Sequence, residues 1–178
     1  MTFAREARRV RDESLPMSTR VIGLRACLQH YKPIGFDASF SFLESLVGNL
    51  RKDPAALLLA LDLLTASHAA WQAELHAYGL LRRRAKLLGY RVPHPSAPNP
   101  NRPSHWYGAR REAAFHAVWF WYSKGASDDV DVHALAAALV HRGRFTAVQR
   151  EMLLEVRPNS WDSKVVLQQM AVVAGEAR

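Results

Sequence analysis

The sequence predicts an all-α fold: a single domain over residues 1–178, with about seven helices bundled around a long central helix pair joined by a proline-rich arm. Three observations predict it. Alternating polar and apolar strand patterns are nearly absent, and Gly and Pro cut the chain into helical lengths. Leu57, Leu61, Leu64, His68, Trp71, Leu75 and Tyr78 also recur at intervals of three and four, the spacing of one helix face. The 178 residues are 49% apolar and 22% charged, which suits one ordinary core.

The elements follow in chain order. Thr2 to Glu13 places Phe3, Ala7 and Val10 on one face and Arg5, Arg8, Arg9 and Arg11 around the rest, a short basic helix expected to fray. Ser18 caps a second helix running to about Tyr31, where Lys32, Pro33 and Gly35 stop it. A third begins near Asp37 or Ser41, the latter with Glu44 as a capping-box partner, and turns Phe42, Leu43, Leu46 and Leu50 inward. Asp53 as N-cap, Pro54 at the first helical position and Gly89 as terminator enclose one long helix, about 50 Å if straight. Its apolar seam reaches Arg82 after Tyr78, so packing is expected to end there and the helix to project into solvent.

Residues 92–104 hold five prolines, which favour a stiff extended arm over a helix. A helix over 104–124 follows, its second half expected at the centre of the core because Phe115, Val118, Trp119, Phe120, Trp121 and Tyr122 occupy nearly every side. Three short helices close the chain: Asp131 to His141 ending at Gly143, Thr146 to Val156 opened by a Thr146–Gln149 capping box, and Ser160 to Ala174 capped by Asn159.

Charge is the most informative functional signal. The formal net charge is +8 and the pI about 10.1. Residues 1–81 carry 9 basic and 8 acidic side chains, and residues 112–178 carry 7 and 8, so these segments cancel. The whole excess lies in Arg82, Arg83, Arg84, Lys86, Arg91, Arg102, Arg110 and Arg111, a stretch with no Asp or Glu that also contains His94 and His105. An antiparallel helix pair joined by the arm would bring both basic ends to one tip. Guanidinium groups there would fork onto phosphate oxygens, with His105, Trp106 and Tyr107 placed to stack on exposed bases. The competing reading puts Trp106 and Tyr107 in the core at a helix start. The expected partner is DNA or RNA held by its backbone, and the alternative is an acidic protein, or a second copy of the chain, docked by an adaptor or inhibitor subunit.

Other constellations argue less. The last two predicted helices have the spacing of a helix-turn-helix, with Val148, Met152, Val156, Val165, Val166 and Met170 inward and Asn159, Ser160, Ser163, Lys164 and Gln168 outward. This third of the chain, however, has net charge −1 and lacks the tight-turn glycine. Asp129, Asp131 and His133 alternate as metal ligands would on a strand, but Ala134 to Val140 favours a helix whose N-terminus the acids complement. His68 reads as a core histidine. Cys27 and His30 lie three apart, where a small buried cysteine is the ordinary reading. No Gly-rich phosphate loop, nucleophile elbow or zinc spacing supports an enzyme, a metal or a cofactor. One cysteine, no secretory h-region and no uninterrupted apolar run of about 20 residues lead to the expectation of a cytoplasmic protein without membrane contact.

Overall fold

The computed structural model describes residues 2–91, 100–125 and 129–175; most of the predicted proline arm, with His94, lies outside them. Among these residues there are eight helices and no strands: α1 (Phe3–Arg11), α2 (Met17–His30), α3 (Phe36–Val47), α4 (Pro54–Leu87), α5 (Arg110–Ser123), α6 (Val130–Arg142), α7 (Ala147–Glu155) and α8 (Trp161–Ala174).

Local chemistry sets most of the boundaries. Thr2 caps α1, and Asp53 accepts the Ala55 and Ala56 amides at the head of α4 with Pro54 next to it. Thr146 and Gln149 form the expected capping box of α7, and Gly143 closes α6 at φ 69°. Several starts differ from expectation: Ser160, not Asn159, caps α8 by accepting the Ser163 amide, and α5 starts late, at Arg110. Pro16, not Ser18, precedes α2 and its carbonyl accepts the Thr19 and Arg20 amides. Gly35, at φ 94°, lets α3 begin at Phe36, which leaves Ser41 inside the helix.

The opening helix is formed and packed against the core. Ala7 and Val10 are buried, Arg20 Nε donates to the Val10 carbonyl at 2.7 Å, and Arg11 pairs with Asp62 at 2.9 Å. Its close seat on α2 depends on Gly23, where an added Cβ would meet Val10 Cγ2 at 3.0 Å. The apolar face of α1 packs on α2 and α4.

The seam of α4 is covered unevenly. Leu57, Leu61 and Leu64 are fully buried against α1, α2 and α3, whereas His68, Trp71, Leu75 and Tyr78 are half-buried. By length and composition α4 is long and apolar enough to cross a membrane (mean hydropathy 1.3), and its apolar first half is the part packed in this core.

The expected central pair is not the main packing of either helix. α4 packs on α1, α2 and α3, while α5 packs on α3, α6 and α8. α5 has two working faces: Ala113 and Ala117 join the core of α1 to α4, and Ala114 and Val118 join a second core built with α6, α7 and α8. Small side chains permit that double approach. The large aromatics expected at the centre sit at its edges instead, with Phe120, Trp121 and Tyr122 half-buried and Trp119 exposed.

Candidate nucleic-acid interface

Residues 104–109 are not helical as the sequence suggested: Gly108 turns at φ 90° and α5 starts only at Arg110. This loop runs back along α4. Trp71 Nε1 donates to the Pro100 carbonyl at 2.7 Å, the Tyr107 amide donates to Ser67 Oγ at 2.9 Å, and the Tyr107 hydroxyl donates to the Glu74 carboxylate. Ser67 Oγ also bonds the buried Tyr31 hydroxyl at 2.8 Å, which fixes the loop to the core.

That path decides what each predicted contact residue can do. Trp106 is only 3% exposed, its ring edge-on to Phe42 with centroids 5.2 Å apart, so it is a core residue and not a stacking platform. Tyr107 has both its amide and its hydroxyl engaged, and burial with the Glu74 bond pushes its hydroxyl far above the usual phenol range. His105 lies half-buried on Tyr107, with centroids 4.4 Å apart. Burial and then Arg110 hold it below the ordinary imidazole range against the opposing pull of Glu74.

The cations separate into two groups. Arg102 and Arg110 line a cleft of about 950 Å³ between the returning loop, the α2–α3 connection and the start of α8. Arg82, Arg83, Arg84 and Lys86 are exposed at the far end of α4, with Arg91 just beyond and Arg111 exposed on α5. At 1.5 Å per residue, Arg82 to Lys86 stand about 12–18 Å farther along the axis than Glu74, which borders the cleft. The single tip expected from the sequence is therefore two basic patches, one at the cleft and one at the far end of α4. The described ion pairs, Arg9–Glu6, Arg11–Asp62 and Lys124–Asp37, use none of Arg82, Arg83, Arg84, Lys86, Arg91, Arg102 or Arg111.

Sequence reasoning missed two members of the cleft's wall, Lys32 and Trp161, and named a third, Lys164, only as an outward residue of the helix-turn-helix. Lys32 lies just past α2, Lys164 on the first turn of α8, and Trp161 beside it is 62% exposed. Arg102 Cζ stands 5.7 Å and Lys164 Nζ 5.9 Å from the Trp161 ring centroid. A signal for it existed: at 100° per residue Trp161 falls about 140° away from Val166, on the polar side with Lys164 and Gln168.

The other constellations resolve structurally. α8 is a core helix with Ser163 and Gln169 buried, and Val148 and Met152 of the supposed helix-turn-helix interior are exposed. Asp129 accepts the Asn159 amide at 2.8 Å and precedes α6, so Asp131 and His133 are helical. Cys27 is fully buried, and burial, reinforced by Glu6, pushes its thiol up to about 12, while His30 is exposed. His68 stacks on Phe3 at 4.1 Å, and burial, then His30, lowers its pKa. Comparison with known protein families, characterised proteins and solved structures finds no match for this chain.

Proposed function

We propose that this chain is a non-catalytic nucleic-acid-binding helical protein, or a small subunit of a nucleoprotein assembly, that holds backbone phosphates through the cations of residues 82–111. One observation carries the reading: the segment holding the entire net charge presents Arg82, Arg83, Arg84, Lys86, Arg91, Arg102 and Arg111 to solvent, without a described carboxylate partner for any of them. Exposed cations in such a cluster neutralise phosphates and release counterions. Contacts of this kind fix position on a backbone and carry little sequence information.

A gel-shift titration with single- and double-stranded DNA and RNA tests it. If five to seven phosphates are engaged, affinity falls by about two to four orders of magnitude between about 50 and 200 mM salt. Binding indifferent to salt, or absent for all four ligands, refutes the proposal.

A second reading draws on the apolar side chains among the arginines. Leu80 (51%), Leu81 (55%), Leu87 (88%) and Leu88 (66%) are exposed on α4 and at its end, a mixture suited to an acidic amphipathic protein partner. Replacing Arg82, Arg83 and Arg84 with Glu separates the two: loss of nucleic-acid binding supports the first, and loss of a protein partner alone supports the second.

A further inference from the structure

We infer that the cleft between the returning loop and the start of α8 takes an unpaired nucleotide of a single strand, its base against Trp161 and its phosphates on Arg102, Lys164 and Lys32. This rests on the nucleic-acid reading and narrows it. Trp161 is the largest side chain on the solvent side of α8, 62% exposed although Val166 and Met170 of the same helix are buried. An exposed aromatic ring with cations standing over it is the pairing that single-strand binders use, because every base has a stacking face and every base carries a phosphate.

The cleft has the size and charge for it. Its volume of about 950 Å³ lies at the top of the range of small-ligand sites, and its wall carries four cations, Lys32, Arg102, Arg110 and Lys164, against one carboxylate. That carboxylate, Glu74, already accepts the Tyr107 hydroxyl. A phosphate entering beside Trp161 thus meets net positive charge, while the base meets an indole ring that is 62% exposed.

A duplex cannot use this site in the same way, since each of its bases is already covered by its stacked neighbours unless it is flipped out. A strand is favoured over a free nucleotide by the second basic patch. Arg82 and Arg84 stand about 12–15 Å farther along α4 than Glu74, a span of about four stacked nucleotides at 3.4 Å each. One strand can reach both patches; a lone nucleotide cannot.

Fluorescence anisotropy with a labelled oligothymidine and a duplex of equal length tests the inference. Trp161→Ala is expected to weaken single-strand binding by about 5- to 150-fold, the loss of one stacked base, and to change duplex binding by less than about twofold. Trp161→Phe, which keeps a stacking ring, is expected to retain most single-strand affinity. An unchanged affinity in Trp161→Ala, an equal loss on duplex, or an equal loss in Trp161→Phe overturns this inference while leaving salt-dependent phosphate binding intact. Failure of the unaltered protein to bind any nucleic acid overturns both readings together.

Discussion

The three consecutive arginines of α4 are chemically equivalent but geometrically distinct. Taking Glu74, which borders the cleft, as the reference direction, 100° per residue places Arg82 about 80° to one side, Arg84 about 80° to the other, and Arg83 about 180° away. Ala85 falls about 20° from the reference and is 6% exposed, the only buried residue of this last stretch, so that direction is the covered one. A strand leaving the cleft along α4 therefore passes Arg82 or Arg84 and never Arg83. Each phosphate released from a single strand changes the slope of log affinity against log salt by about 0.7. The double variant Arg82→Gln with Arg84→Gln should lower that slope by about 1.4, equivalent to about sevenfold less sensitivity between 50 and 200 mM salt, and Arg83→Gln should leave it near the original value. Anisotropy titrations of an oligothymidine over a salt series measure the slope, with far-UV circular dichroism as a folding control. A drop in Arg83→Gln as large as in the double variant refutes the directional argument, and no drop in either refutes the role of α4.

Further expectations concern the fold around the cleft. Trp106→Ala should cost about 3–5 kcal/mol in urea unfolding, because the removed ring is buried against Phe42; a loss below about 1 kcal/mol would show that the ring is not part of the core. Stability should fall as pH drops below about 6.5, since burial holds His68, His105 and His116 beneath their unfolded value and the unfolded chain then takes up more protons. Urea midpoints at pH 7.5 and 5.5 check this, and a midpoint that rises on acidification contradicts it. The Cys27 thiol should resist alkylation in the native protein at pH 8 and react at once in denaturant; rapid native labelling would contradict its burial and raised pKa.

What the sequence made legible was local. Asp53 with Pro54, Thr146 with Gln149, and Gly143 each carry their whole instruction within a few residues, and each acts as read. The extent of α4 followed from Asp53, Pro54 and Gly89, and the weakening of its packing toward Arg82 from one repeated spacing. Placement across the chain was less legible. Trp106 read as a core residue more readily than as a base platform, but only Gly108 and the bonds of Tyr107 to Ser67 and Glu74 showed which way the loop turned. The partnership of Trp161 with Arg102 joins residues 59 apart in sequence, and no periodicity reports such a meeting. The aromatic-rich second half of α5 suggested a centre of gravity that belongs to its alanines, because two cores approach one helix most closely where side chains are small.

The sharing of α5 between two cores should make the halves of the chain unfold together. A fragment ending before the arm would keep α1 to α4 but lack Ala113, Ala117 and Trp106, leaving bare the flank they cover. A fragment beginning after it would keep α6 to α8 around an α5 whose other face has nothing to rest on. Neither piece should fold fully alone, and the two should reassemble from solution only when mixed. The cleft lies across that same junction, bordered by α4 on one side and α8 on the other, so its shape persists only while both halves stay folded.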